Sequence, residues 1–234
     1  MKTIQSDRHM GKSIGFGAIG GFVAGLVMAP FFMLTAMMAG MPTNTIPIAI
    51  GLAFGAFQDN NAIMIGSGLH MLTSTLIGII FGAVTAAASK LRITSFRKGV
   101  GEGLATGMIA FAVLFIPISM FVMSPVLVQM MMQMDLSLTQ QQAMSVLQQG
   151  IPLMIGIGIL EHLVYGAVLG AVTSALMLKV KRVRKEQEYT ARLGTGTTKE
   201  EGTTNYECMA CNRKFGSLEE INDHIKTVHH RIAA

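Results

Sequence analysis

The stretch "SIGFGAIGGFVAGLVMAPFFMLTAMMA", residues 13–39, contains no charged side chain. A helix that crosses a bilayer needs about 20 mostly apolar residues, so this one is long enough to span. It is too long for a signal-peptide core of about 7–15 residues, and no A-x-A cleavage pattern follows it. Three further stretches read the same way: 62–88, interrupted only by His70, 103–123, with no charge at all, and 151–178, with Glu161 and His162.

Composition agrees with that reading. The chain has 234 residues, 51% of them hydrophobic and only 13% charged, against about 25% charged in ordinary soluble domains. Mean hydropathy is +0.51. Between Ser13 and Leu178 the charged residues are Asp59, Lys90, Arg92, Arg97, Lys98, Glu102, Asp135 and Glu161. A soluble domain of that length would not leave so little polar surface for water, which implies an integral, multi-pass membrane protein in contact with the lipid bilayer.

The segments between spans set the direction of insertion. Lys2, Arg8 and Lys12 lie in the N-terminal segment 1–12, and Lys90, Arg92, Arg97 and Lys98 lie in the middle connection. Lys179, Lys181, Arg182, Arg184 and Lys185 follow the last span, whereas 40–61 and 124–150 contain no Lys or Arg. The positive-inside rule then puts both ends and the middle loop in the cytoplasm, with the cell membrane as the expected location. Of the outer connections, "IPIAIGLAFGAF" (46–57) is apolar but short and suits a re-entrant or interfacial piece. The other is rich in Met and Gln and reads as helical after Pro125.

The oily region repeats itself. "GIIFGAVTAAASK" (78–90) resembles "GAVLGAVTSALMLK" (166–179), with Gly78 and Gly82 matching Gly166 and Gly170, and Gly17 and Gly21 matching Gly103 and Gly107. Each unit holds two spans, so the copies would run in parallel, as in some transporters. The competing explanation is shared membrane composition. Small residues at four-residue spacing (Ser13, Gly17, Gly21, Gly25 and Gly99, Gly103, Gly107) form glycine-zipper faces that let backbones approach closely in a bundle or homo-oligomer. Pro30 and Pro117 are candidate kinks.

His70, Glu161 and His162 are the ionisable groups deepest in the spans. Such groups are costly in lipid and face a cavity or a partner. The repeat sets the two histidines one turn apart on equivalent faces, so they can converge. Methionines gather toward the same outer end, among them Met37, Met38, Met120, Met123 and Met154. Thioethers favour Cu(I), which raises a copper site; the plainer readings are methionine as apolar filler and a histidine bonded to a neighbouring carbonyl or to Glu161. There is no H-E-x-x-H, P-loop, nucleophile elbow or carboxylate pair within a span, so nothing points to an enzyme.

The C-terminal part has a different character. Residues 179–205 begin with the basic run "KVKRVRK", an anchor against anionic headgroups, and continue rich in Gly, Thr and charge, as a flexible tether. Then comes "YECMACNRKFGSLEEINDHIKTVHH" (206–230), with Cys208, Cys211, His224 and His229 spaced C-x2-C-x12-H-x4-H. The cysteines alone could form a disulfide or a redox couple; the histidines favour zinc. Four protein ligands leave no open coordination position, which marks a structural site for one Zn²⁺. So small a module folds largely on metal binding.

This stretch resembles the C₂H₂ zinc-finger family over residues 206–230. The resemblance implies a ββα fold, with a hairpin carrying Cys208 and Cys211 and a helix from about Leu218 carrying His224 and His229; Ile221 stands where the family usually has Leu, and His230 offers an alternative fourth ligand. Positions that read bases in the family are Ser217, Glu220 and Asp223 here, with Glu219 beside them. Acids there repel phosphate, so Glu219, Glu220 and Asp223 form a candidate protein-interaction face and sequence-specific DNA binding is disfavoured.

The expected architecture is an all-α polytopic membrane protein: a four-helix transmembrane bundle, built as a tandem two-helix repeat, with a small C-terminal ββα zinc finger. Three functions fit it. One is a non-enzymatic membrane protein whose cytosolic finger binds a cytosolic or membrane protein, or which is an accessory subunit of a complex. Another is a small transporter or channel, for a soft ion such as copper, regulated by the finger. The last is a membrane-tethered nucleic-acid binder.

Overall fold

Helix dominates because the apolar stretches carry few β-branched runs and no solvent to satisfy their backbone groups, and in lipid an α-helix satisfies those groups within itself. The computed structural model describes residues 2–38, 40–56, 59–193, 198–200, 203–208 and 211–228. They belong to two compact units, 1–178 and 179–234.

In the first unit, α1 (Lys2–Met38), α2 (Thr45–Ala53) and α3 (Asp59–Ala87) precede a 3-10 turn at Ser89–Leu91. Then α4 (Phe96–Ala110) runs through two π-helical segments, Phe111–Phe115 and Ile118–Met123, into α5 (Ser124–Met134). The last long helix, α6, is Gln140–Leu193. Four helical stretches are long and apolar enough to cross a membrane: Met10–Met38, Asn60–Ala87, Phe96–Met134 and Gln140–Lys185.

Two of these helical stretches extend into the connection 124–150, which the sequence reads as helical after Pro125. The connection 124–150 is helical on both sides of a turn after Met134, closed by Ser137 N–H and Oγ–H donating to Asp135 Oδ1 at 2.9 and 2.6 Å. Those two bonds hold the Asp135 carboxyl below its ordinary range. Gln and Met are good helix formers, and Leu127, Val128, Ala143 and Leu147 bury together with Ala49 of α2 and Met123. The short apolar piece in the connection 40–61 is α2, whose Gly51 lies against the Ala62 carbonyl of α3.

The π segments flank Pro117. Proline has no N–H to give and its ring collides with the carbonyl four residues back, and a π-bulge absorbs that mismatch without ending the helix. Ser124 Oγ donates to the Ser119 carbonyl at 2.7 Å in the same region. Pro30, by contrast, lies inside an uninterrupted α1.

Glycines set the closest helix contacts. A Cβ built on Gly17 would overlap the Gly78 carbonyl and come within 2.9 Å of Gly82 Cα; one on Gly21 would overlap the Ser74 carbonyl. On the other helix pair, a Cβ on Gly103 would overlap the Gly166 carbonyl and approach Gly170 Cα to 2.8 Å, and one on Gly107 would overlap the His162 carbonyl. Small polar residues share the interior with a bulky cluster: Ser13, Ser74, Thr85, Thr173 and Ser174 are buried, as are Met28, Phe81, Ile93, Tyr165 and Leu169, and Ser13 Oγ donates to the Gly82 carbonyl at 2.9 Å. Other large apolar side chains point outward, with Ile80 61%, Ile109 63% and Phe121 78% exposed. An outer surface this apolar suits lipid and would aggregate in water.

In the second unit α6 continues to Leu193, through residues expected to begin a flexible tether, because Lys, Arg, Glu and Gln favour helix. The strands β1 (Thr198–Glu200), β2 (Thr203–Cys208) and β3 (Arg213–Phe215) form an antiparallel sheet in that order, followed by α7 (Leu218–Val228). β2 and β3 pair Tyr206 with Phe215, Glu207 with Lys214 and Cys208 with Arg213.

Candidate functional site

In the C-terminal unit the hairpin and helix converge on three ligand groups. Cys208 ends β2, and the turn that follows is closed by Cys211 N–H and Asn212 N–H donating to the Cys208 carbonyl at 3.1 and 2.6 Å. Asn212 takes the left-handed conformation (φ 55°) that lets this turn reverse, a conformation Asn tolerates better than most residues. His224 enters from α7, on the face that buries Ile221 and Ile225 beside Cys208, with Tyr206 and Phe215 packed around them. The Phe215 and His224 rings lie 4.7 Å apart.

Cys211 Sγ lies 3.1 Å from His224 Nε2, and the ligand atoms of Cys208, Cys211 and His224 all fall within 4.8 Å of one another. Tetrahedral zinc with Zn–S about 2.3 Å and Zn–N about 2.0–2.1 Å sets its ligands about 3.5 Å apart. The three residues therefore fit a zinc ion or another metal that takes sulfur and nitrogen, and this is the one such Cys/His/acid group among the described residues. His229 and His230 lie outside the described residues.

The acidic side chains on α7 divide by role. Ser217 Oγ accepts from Glu220 N–H at 3.2 Å, while Glu220 Oε2 accepts from Gly216 N–H at 3.0 Å. This is a capping box displaced by one residue: Ser217 caps the Glu220 N–H, and the Glu220 carboxylate reaches back past the cap to the Gly216 N–H. Glu219 and Asp223 remain exposed beside it. Glu220, grouped by sequence with Glu219 and Asp223 as one interaction face, is exposed like them and also accepts the Gly216 N–H bond at the helix start.

The first unit holds a cavity of about 350 Å³, and His70, Glu161 and His162 all line it. Glu161 is 4% exposed and accepts from Thr35 Oγ1 at 2.7 Å. His70 Nε2–H donates to the Gly25 carbonyl of α1 at 3.1 Å, and His162 Nδ1–H donates to the Gly158 carbonyl of its own helix at 2.7 Å. Both histidines thus bond carbonyls and not Glu161, and aromatic rings flank them: Phe32 4.7 Å from His70, Phe115 5.1 Å from His162. Tyr165 Oη donates to the Ser74 carbonyl at 2.7 Å.

Met28, Met123 and Met154 also line this space, so the methionine and histidine signals meet in one cavity. The carboxylate and imidazole ligand atoms here are not drawn together as those of the C-terminal cluster are. Thr35, Phe32 and Tyr165 were not singled out by sequence. A hydroxyl or ring in an oily helix carries no charge signal, and only the crossing of α1, α3 and α6 reveals its partner.

The chain matches no family model, no curated protein and no solved structure.

Proposed function

We propose that this chain is a non-enzymatic multi-pass membrane protein whose zinc-bound C-terminal module docks a protein in the cytoplasm, as an interaction partner or an accessory subunit of a membrane complex. The observation that carries the reading is the Cys208, Cys211 and His224 cluster, closed at 3.1 Å between Cys211 and His224, with exposed Glu219 and Asp223 on the helix that supplies His224. His229 completes the zinc set in this reading, and His230 is the substitute. Zinc supplies the folding free energy of so small a module; Glu219 and Asp223 then offer carboxylates to a basic partner surface. The base-reading positions Ser217 and Glu220 are occupied by capping, which argues further against nucleic acid.

The four spans cross with both ends and the loop around Lys90–Lys98 inside, as the Lys/Arg distribution requires. A two-span duplication accounts for the matched crossings, Gly17 with Gly78 in one half and Gly103 with Gly166 in the other. A transporter or channel is the second reading, favoured by the cavity that gathers His70, Glu161 and His162.

The test is a photo-crosslinking residue placed at exposed Thr227, one turn along the same face from Asp223, in the full-length protein in its native membrane. A discrete adduct that disappears in Cys211→Ser supports zinc-dependent docking. No adduct, or one indifferent to Cys211→Ser, overturns it.

A further inference from the structure

We propose that the cavity of the first unit binds a lipophilic organic monocation, with Glu161 as its counter-charge. The proposal rests on reading residues 1–178 as a membrane unit and gives the transport reading a ligand class. At about 350 Å³ the cavity sits at the small end of the 300–1,000 Å³ range of small-molecule sites.

Three features of its lining select the ligand. First, the ionisable groups and the tyrosine present acceptors. The ring N–H of each histidine is spent on a carbonyl, so each neutral imidazole has a lone pair on its other nitrogen, and the Tyr165 proton is spent on Ser74. Second, no Lys or Arg lines the space. An ionised Glu161 has the Thr35 hydroxyl but no cation, and a buried carboxylate without a cation is costly. Third, Phe32, Phe54, Phe115 and Tyr165 supply aromatic faces, which attract positive charge electrostatically while burying apolar groups.

A neutral donor would satisfy the acceptors but leave Glu161 without a counter-ion. A compact metal ion needs ligand atoms drawn together, and the Glu161 and histidine atoms are not among those so grouped. A cation whose charge is spread over an apolar body suits all three: its positive potential faces the lone pairs, the Glu161 carboxylate and the rings without needing a hydrogen bond, and its apolar body fills the oily lining.

The probe is tetraphenylphosphonium, titrated into the full-length protein in nanodiscs, with triphenylphosphine oxide as the neutral counterpart. Saturable binding of one cation per chain is expected, at least tenfold tighter than the neutral probe. Glu161→Gln weakens it at least tenfold, and Ile77→Trp, which fills the cavity and keeps the carboxylate, abolishes it. Monodispersity and helical circular dichroism qualify each variant. Equal affinity for the neutral probe, or unchanged binding in either qualified variant, overturns the proposal. So does stoichiometric copper that excludes the probe. Alkaline extraction of the expressing membranes separates the two levels: release of the chain sinks the membrane reading itself, whereas retention without probe binding sinks only the cation site.

Discussion

Gly17 on α1 and Gly78 on α3 meet backbone to backbone, each standing where a Cβ on the other would collide with a carbonyl oxygen. Gly103 and Gly166 stand in the same relation. In lipid, where apolarity does not distinguish partner from solvent, such close approach supplies the van der Waals contact that holds helices together.

Adding one methyl group at these crossings therefore costs stability. Gly17→Ala and Gly103→Ala should each destabilise by about 1–3 kcal/mol, the usual cost of overpacking, or roughly 2–12 °C in thermal midpoint for a protein of this size. Gly68 and Gly101 have open space at the same position, and there alanine should be neutral or stabilising by up to about 1 kcal/mol. Thermal unfolding in detergent, followed by circular dichroism, checks both signs. Equal effects at all four glycines would refute the contact argument.

The capping box predicts a link between a helix end and metal affinity. Because folding and metal binding are coupled in a module this small, stability lost at the cap appears as lost zinc affinity. Ser217→Ala removes the acceptor for Glu220 N–H, at a cost of about 0.5–2 kcal/mol, which weakens zinc binding by roughly two- to thirtyfold. Glu219→Ala removes only an exposed acid and should leave affinity within about twofold. Competition against a chromophoric chelator on the full-length protein measures both, and Cys211→Ser should retain no stoichiometric zinc.

These two sites also show what could be read in advance. Length and charge give four apolar helices, because lipid allows few alternatives to a continuous helix. The cysteine and histidine spacing gives one set of converging metal ligands, and the ββα module is what the resemblance of 206–230 to C₂H₂ zinc fingers implies. Helix after Pro125 was legible as well, but the turn that separates α5 from α6 was not, since Asp135 and Ser137 stand in a run of Met and Gln that carries no break signal. Glu220 shows what stayed hidden: its charge was legible, but the bond from Gly216 N–H depends on a turn geometry that spacing alone leaves open.

Orientation can be tested with the two native cysteines. With both ends inside, a membrane-impermeant maleimide should not label Cys208 or Cys211 in intact cells, even with an impermeant zinc chelator in the medium. After permeabilisation, labelling should rise sharply once a zinc chelator is added, since metal-bound thiolates are protected. Labelling of intact cells would place the C-terminal module outside and refute the charge-based topology.

Tyr165 joins α6 to α3 through its hydroxyl and the main-chain carbonyl of Ser74, at 2.7 Å and 2% exposure of the tyrosine. Tyr165→Phe keeps the ring and deletes the bond. The expected loss is about 0.5–1.5 kcal/mol, near the low end if membrane averages of about 0.6 kcal/mol hold here. Because the acceptor belongs to the backbone, Ser74→Ala should preserve the bond, and adding it to Tyr165→Phe should give simple additivity. Coupling of more than about 0.5 kcal/mol between the two changes would show that the serine side chain takes part, contrary to the geometry.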